Sequence, residues 1–192
     1  MQTTKEKILS AVIDYIKDNT NLESITLSKI ALTADIGKST VYEHFSSKEE
    51  LICETYLYLL NHYQMIMMQE LKSTTFREKF LEQMNLILTV MMDARILVDA
   101  IMNHHESFMG VGNEIQDAVK LIQKKMQERF KEIFMLGVEE GMLPIRLPMP
   151  YQENIIQAIM SGLLYQYANK EIEIEREDLF VLIYDSVIKM IK

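Results

Sequence analysis

The chain has 192 residues, of which 48% are apolar, and a formal net charge of −8. This length suits one globular unit, or a small module joined to a larger one. No run approaches the ~18 uninterrupted apolar residues of a membrane span, and the N-terminus lacks the apolar stretch of a signal peptide, which predicts a soluble, cytoplasmic protein. Because Cys53 is the only cysteine, an intramolecular disulfide and a cysteine-rich zinc site are excluded.

Helix punctuation predicts an all-α protein of about nine helices. The three prolines lie at 144, 148 and 150, so the chain before them can be helical apart from short turns. Thr3 and Glu6 predict a capping box at the first helix, and Gly141 is placed to end a later one. The predicted helices cover residues 4–18, a short stretch after Thr26, a second short stretch from about Gly37, 47–71, 76–91, 93–105, 113–140, 151–169 and 176–191.

Residues 26–51 combine helix-start signals and a tight turn in the order of a helix-turn-helix. Thr26 is predicted to cap the first short helix, and Asp35 to occupy the turn. Val41 and Phe45 are four residues apart and are predicted to point inward, so the polar residues between them share an outer face. Ser46 with Glu49, or Ser47 with Glu50, is predicted to open the next helix by a capping box.

Three motifs of this segment resemble the DNA-binding domain of the tetracycline-repressor-like (TetR) family: Ile30-Ala31, Tyr42-Glu43-His44-Phe45 and Ser47-Lys48-Glu49-Glu50-Leu51. The resemblance extends more loosely to the whole chain. It implies a three-helix DNA-binding domain over residues 1–47 and a helical ligand-binding and dimerisation domain over residues 48–192. Two positions depart from the family pattern: Asp35 stands where a turn glycine is usual, and Gly37 replaces the usual serine cap.

The second short helix and its flanks supply the predicted DNA contacts. Lysine donates to phosphate as a point charge, hydroxyls donate to phosphate oxygens, and a threonine methyl can meet a thymine methyl in the major groove. Lys38, Ser39 and Thr40 are therefore predicted nearest the base edges. The predicted backbone contacts are Tyr42, His44 and Lys48, and the predicted DNA-binding set also includes Thr26 and Ser28.

Charge opposes a general affinity for nucleic acid. Residues 1–50 contain six lysines, no arginine and eight acidic residues, a net charge of −2. DNA-binding domains are commonly basic. We therefore expect few phosphate contacts per subunit, with a second subunit needed to reach useful affinity.

The last two predicted helices are apolar almost all round, which indicates that they are covered on every side. The family resemblance implies that they pack against their counterparts in a second subunit as a four-helix bundle. The alternative is that they form the middle of a monomeric core. The predicted homodimer interface comprises Ile156, Ile159, Met160, Leu163, Tyr167, Phe180, Ile183 and Val187.

Fourteen of the 15 methionines lie at positions 65–192. Methionine is flexible and polarizable, so this bias favours a pocket that adapts to hydrophobic or aromatic ligands, with ordinary core filling as the alternative. The predicted pocket lining is Tyr63, Met67, Met84, Leu88, Met91, Ile101, Phe130 and Phe134.

No catalytic residue, metal site or cofactor is predicted, because no nucleophile motif, phosphate-cradling glycine loop or zinc-protease motif occurs. His104, His105 and Glu106 are consecutive, so on a helix they point in different directions rather than towards one ion. They are predicted to lie on the surface, with a pocket-facing histidine left open.

The predicted function is a ligand-responsive transcriptional regulator, a repressor that binds a palindromic operator as a homodimer and is released by a small, mainly hydrophobic effector. Double-stranded operator DNA, this effector and a second copy of the chain are the predicted partners, and no membrane is among them. Two alternatives stay open: a helical small-molecule carrier or partner-binding protein that keeps the fold without using DNA, and a metal-dependent hydrolase that uses His104, His105 and Glu106.

Overall fold

A computed structural model of the chain describes residues 2–18, 20, 22–103, 112–145 and 150–191; the side chains of residues 23, 96–103, 112 and 150 lie outside the description. Within these ranges the chain is all helical. Its α-helices are α1 (Thr4–Lys17), α2 (Leu27–Thr33), α3 (Lys38–His44), α4 (Lys48–Met67), α5 (Phe76–Asn103), α6 (Gly112–Glu139), α7 (Pro150–Ala168) and α8 (Arg176–Ile191), with a 3-10 turn at Leu22–Ser24. Among the described helices, none has the length and apolar character needed to span a membrane.

The chain forms two compact units. The N-terminal unit comprises Met1–Gln64 and Ala94–Ile122, and the C-terminal unit comprises Met65–Asp93 and Gln123–Lys192. The domain boundary predicted after residue 47 stays a prediction.

In the N-terminal unit, α1 begins with the predicted capping box. The Glu6 amide donates to the Thr3 hydroxyl at 3.2 Å, and the Thr3 amide donates to the Glu6 carboxylate at 2.7 Å. These bonds lower the pKa of Glu6. The helix then packs against α2, which in turn packs against α3. The buried apolar residues of this region are Ile8, Leu9, Val12, Ile16, Ile25, Ile30, Ala31, Val41, Phe45 and Leu51.

The C-terminal unit is built around a cluster of aromatic rings. Neighbouring centroids lie 5.6–6.4 Å apart in the group formed by Phe76, Phe80, Phe130, Phe134 and Tyr184. Helices α7 and α8 pack against each other and add the buried side chains Ile156, Met160, Leu164, Leu179, Ile183 and Val187 to the same core.

One glycine is required where α5 and α6 approach each other. A Cβ atom at Gly137 would lie 2.9 Å from Phe76 Cγ and 2.9 Å from Leu143 Cδ1. Phe76 is fully buried, so its ring has no room to move aside.

The structure corrects two predicted helix boundaries. Residues 76–91 and 93–105 were expected to form separate helices, but Phe76–Asn103 is one continuous helix, so the described residues hold eight α-helices rather than nine. The Met-Met-Asp sequence at 91–93 contains no proline or glycine that would end it. Helix α4 was expected to reach residue 71, and it ends at Met67.

Three side chains, which we name the α4-end clamp, account for the earlier end of α4. They are Glu82, Gln83 and Arg129. The fully buried Gln83 donates from Nε2 to the Met67 carbonyl at 3.0 Å. The Arg129 guanidinium donates to the carbonyls of Met68 and Gln69 at 3.0 and 3.1 Å.

The third member of the clamp holds the turn beyond the helix. The Glu82 carboxylate accepts from the amides of Lys72 and Ser73 at 3.0 and 2.9 Å. Because α4 has no glycine or proline near its end, these tertiary bonds rather than local sequence explain why it stops at Met67.

Candidate nucleic-acid interface

The connection between α2 and α3 is a tight turn held by backbone bonds. Thr26 caps α2 as predicted, because its hydroxyl accepts from the Lys29 amide at 3.2 Å. At the other end, the Ile36 amide donates to the Ala31 carbonyl at 3.0 Å and the Asp35 amide to the Leu32 carbonyl at 3.2 Å. This pair of bonds is a Schellman motif, which needs a left-handed residue at its centre.

Asp35 supplies the left-handed residue, with φ of 55°. The structure therefore shows that aspartate takes the conformation for which glycine is usual at this turn, as the sequence predicted. Gly37 follows as the N-cap of α3 without a side-chain cap bond.

Helix α3 presents the predicted division between a buried and an exposed side. Val41 is fully buried and Phe45, which follows the last turn, is 1% exposed. The predicted contact residues Lys38, Ser39, Tyr42 and His44 are exposed, Thr40 is half-buried, and in α2 Thr26 and Ser28 are exposed. The Lys38 Nζ atom lies 5.7 Å from the centroid of the Tyr42 ring, so these two side chains form one cation–π pair on the outer surface.

The start of α4 forms one half of the predicted capping box between Ser47 and Glu50, whereas Ser46 bonds to Glu50 rather than to Glu49. The Ser47 hydroxyl accepts from the Glu50 amide at 3.1 Å. The Glu50 carboxylate returns to Ser46 instead of Ser47, and it accepts from the Ser46 amide at 2.7 Å and from the Ser46 hydroxyl. These bonds from Ser46 lower the pKa of Glu50. Lys48 is thereby held half-buried in the first turn of a 20-residue helix.

Lys5 contributes to this region, although no sequence motif predicts its role. Its Nζ atom lies 3.2 Å from the Glu54 carboxylate and 5.5 Å from the centroid of the Phe45 ring. Lys5 thus joins α1 to the end of α3 and to α4. These contacts cannot be predicted from local sequence patterns, since Phe45 and Glu54 lie about 40 and 50 positions after Lys5.

The predicted pocket residues fall into different surroundings. Met84 and Leu88 are fully buried, and Met91, Phe130 and Phe134 pack beside them in the core of the C-terminal unit. Met67 is half-buried at the end of α4, Tyr63 is buried in the N-terminal unit, and the side chain of Ile101 lies outside the description, as do His104, His105 and Glu106. A separate surface cavity of about 490 Å³ is lined by Glu128, Lys131, Glu132, Met135, Leu136 and Glu139, none of which was predicted.

The predicted interface residues divide between core and surface. Ile183 and Val187 are fully buried within one chain, and Ile156, Met160 and Phe180 are nearly so. Ile159, Leu163 and Tyr167 are half-buried. On the opposite side of the two helices, apolar residues that were not singled out are exposed: Tyr151, Ile155, Tyr165, Val181 and Leu182.

Helices α1, α2 and α3 form a three-helix module, and α3 has a buried inner face and an exposed polar outer face. This is the arrangement of a helix-turn-helix protein. Residues 20–55 match the family model of bacterial regulatory proteins of the tetR family. This match covers α2, α3 and the first turns of α4. It confirms, for this segment, the resemblance to the TetR family drawn from the sequence motifs.

Solved structures share the fold along nearly the whole chain. A TetR-family transcription regulator from Marinobacter aquaeolei VT8 is 17% identical, with a TM-score of 0.61 over 98% of this chain and 95% of that one. FadR from Bacillus subtilis, a transcriptional regulator solved with stearoyl-CoA, is 18% identical, with a TM-score of 0.60 over 97% of both chains. The superantigen PfiT is 16% identical, with a TM-score of 0.69 over 100% of this chain and 97% of that one. No curated protein sequence matches the chain significantly.

Proposed function

We propose that this chain is a ligand-responsive transcriptional regulator, acting as a repressor rather than as an enzyme, that binds a palindromic operator as a homodimer. The single observation that carries the proposal is the exposed outer face of α3. Its polar side chains project from a helix whose other side is locked into the core by Val41 and Phe45. A recognition helix needs this combination of rigid placement and free donors and acceptors.

Each predicted contact has a role in this proposal. Lys38, Ser39 and Thr40 lie in the first turn of α3, the part of a recognition helix that approaches base edges. Tyr42 and His44 are proposed to donate to phosphate oxygens. Lys48 lies in the first turn of α4, where its charge and the positive end of the helix dipole favour a phosphate.

Several carboxylates near the proposed interface are hydrogen-bonded or ion-paired within the chain. Glu6 is engaged in capping α1, Glu50 holds the turn before α4, and Glu54 pairs with Lys5. Their hydrogen bonds lower the pKa of Glu6 and Glu50 and so keep both ionised, and only Glu54 is offset by a positive charge, that of Lys5. The low number of lysines still limits the phosphate contacts, so we propose that useful affinity requires two subunits.

The dimer is proposed to form through the outer sides of α7 and α8. A residue that is fully buried within one chain cannot contact a partner, so Ile183 and Val187 support the interface from beneath. The contact surface itself is proposed to comprise Tyr151, Ile155, Ala158, Ile159, Gly162, Leu163, Tyr165, Tyr167, Val181 and Leu182. Open space surrounds Gly162, since a Cβ atom there would meet nothing within 4 Å, which allows close approach of a second helix.

The effector is proposed to be a small, mainly hydrophobic molecule. Two observations support this proposal. The core of the C-terminal unit contains methionine and phenylalanine side chains, and flexible methionines can adapt to apolar ligands. The similar FadR protein was solved with stearoyl-CoA. Helix α4 is proposed to carry the response, because it begins at the Lys48 phosphate contact and, at ~1.5 Å per residue, extends about 30 Å to the clamp.

A second candidate is a partner-binding or carrier protein that keeps the fold without using DNA. The observation that favours it is the net negative charge of the first 50 residues, and the similar superantigen PfiT shows that this fold occurs under a different functional description.

Selection of duplexes from a random-sequence DNA pool separates the two functions. The purified chain should enrich a two-fold symmetric sequence, because two identical α3 helices contact two half-sites. The comparison protein is the double variant Lys38→Ala and Tyr42→Ala, which removes exposed side chains only and leaves the buried side of α3 intact. Enrichment by the wild type alone supports the regulator. Failure of the folded wild type to enrich any duplex would favour the partner-binding protein.

A further inference from the structure

Glu43 occupies the centre of the outer face of α3. At ~3.6 residues per turn, a residue midway between two inward residues four apart points almost directly away from them. Val41 and Phe45 are the inward pair, and Glu43 lies midway between them. Its side chain is exposed, as is that of Ser39 one turn earlier. A helix that enters the major groove with this face would therefore bring Glu43 among the bases.

The Glu43 carboxylate is also uncommitted. Among the residues that the structure describes, none donates a hydrogen bond to it or forms an ion pair with it. This distinguishes it from Glu6, Glu50 and Glu54, whose oxygens are bound within the module. A carboxylate on a surface that must approach phosphates is unfavourable unless it meets a donor there.

The major groove offers such donors only on two bases. Cytosine presents its N4 amino group, whereas adenine presents its N6 amino group beside the N7 acceptor, which repels a second carboxylate oxygen. We propose that Glu43 is a specificity-determining residue that accepts a hydrogen bond from a cytosine N4 amino group in each half-site. This inference rests on the proposed DNA-binding function and names one base that the function requires.

The same carboxylate lowers affinity for unrelated sequences. When no cytosine faces it, its charge stays unpaired next to the phosphate backbone, and every such register is penalised. Glu43 thereby increases the ratio of specific to non-specific binding even though it adds to the net negative charge of the first 50 residues.

Duplex selection with four proteins tests the inference: the wild type, Glu43→Gln, Glu43→Ala and the control Glu49→Gln. The control removes the same charge from an exposed residue in the first turn of α4, away from the outer face of α3. We expect the wild type to select a C·G pair at one position per half-site. Glu43→Gln should select adenine there, because glutamine pairs with adenine N6 and N7.

Glu43→Ala and Glu49→Gln measure how much of the base discrimination depends on the Glu43 carboxylate. Glu43→Ala should lose about tenfold discrimination at that one position and bind unrelated duplexes more tightly, while Glu49→Gln should keep the wild-type preference. Identical sequences selected by the wild type and Glu43→Gln would overturn the role of Glu43 and leave the regulator intact. If the wild type selects no duplex at all, the regulator and this inference both fail.

Discussion

At the scale of single residues, two lysines of the N-terminal unit are proposed to have different roles: Lys48 contacts phosphate, and Lys5 positions α3. Lys5 is engaged with Glu54 and the Phe45 ring inside the module, whereas Lys48 lies in the first turn of α4. A lysine bound to phosphate contributes to the salt dependence of binding, because it releases counterions. A lysine that only positions another element does not.

Replacing these lysines should separate the two roles. Lys48→Ala should reduce the slope of log affinity against log salt concentration by about one. Lys5→Met should weaken DNA binding roughly two- to fivefold, as for a half-exposed ion pair, and leave the slope unchanged. Lys7→Met, which removes an exposed charge from the same helix, is the control. Fluorescence anisotropy at several salt concentrations measures both, and a reduced slope for Lys5→Met would show that it contacts phosphate.

A second residue-scale feature is the left-handed backbone at the end of α7. Lys170 has φ of 58°, and the bonds from the Lys170 and Glu171 amides to the Tyr167 and Gln166 carbonyls form the same Schellman motif that ends α2. Gly141 takes the equivalent place after α6 without strain, with φ of 71°.

Lys170→Gly should therefore raise the free energy of unfolding by about 1 kcal/mol, because a side chain costs energy in this conformation and glycine does not. Lys170→Ala retains a Cβ atom and should leave stability nearly unchanged. Urea denaturation followed by circular dichroism compares the three proteins. A Lys170→Gly protein no more stable than Lys170→Ala would remove strain as the explanation.

At the scale of elements, local signals predicted some helices well and others poorly. Helix α8 has the predicted bounds, and α1 and α6 agree with the prediction within one residue at each end. The signals that set these ends lie in the adjacent sequence: the capping box of α1, the left-handed Gly141 after α6 and the acidic first turn of α8. The continuity of α5 and the end of α4 were missed. No residue near Met67 signals an end, since the bonds that end α4 come from Gln83 and Arg129, 16 and 61 positions away from their acceptors.

The predicted contact residues show the same division between what local sequence reveals and what it does not. The outer face of α3 followed from the spacing of Val41 and Phe45, so every predicted contact on α3 is at least partly exposed. In α7 and α8 the apolar residues surround each helix, and their periodicity alone could not distinguish the side facing the chain's own core from the exposed side. Five of the eight predicted interface residues consequently belong to the core.

The α4-end clamp gives an element-scale prediction. Arg129→Gln removes two charged hydrogen bonds from the carbonyls that follow α4, so amides of residues 66–75 should exchange with solvent about tenfold faster, corresponding to ~1.5 kcal/mol. Lys131→Gln, an exposed change on the same helix, is the control. Hydrogen exchange by mass spectrometry measures both. Equal exchange in the two variants would show that Arg129 does not hold this turn.

Acid should loosen the same turn. Burial acts to raise the pKa of Glu82, but the bonds from the Lys72 and Ser73 amides outweigh it and lower the pKa. A carboxyl whose folded pKa is lowered contributes stability that is present above its unfolded pKa and is lost as pH falls through its folded pKa. The contribution of Glu82 is therefore complete at neutral pH.

At the scale of the whole molecule, the proposed assembly depends on the exposed side of α7. Gly162→Arg should give a folded monomer, because the new side chain has open space within its own chain but occupies the surface proposed for the partner. Gln157→Arg adds the same charge to an exposed position outside the proposed surface and should leave a dimer. Sedimentation velocity measures the mass of each. A monomeric wild type, or a dimeric Gly162→Arg protein, would remove this interface.

The most direct test of dimeric, sequence-specific DNA binding is the equilibrium affinity of the wild-type chain for one selected symmetric duplex and for two altered forms of that duplex. One form has a scrambled half-site, and the other has five extra base pairs between half-sites, which rotates them away from the ~34–36 Å spacing of one helical turn or its multiples. Anisotropy titration at one salt concentration should show the intact duplex bound about 10³-fold more tightly than either altered duplex. Equal affinity for all three would contradict a dimeric, sequence-specific regulator.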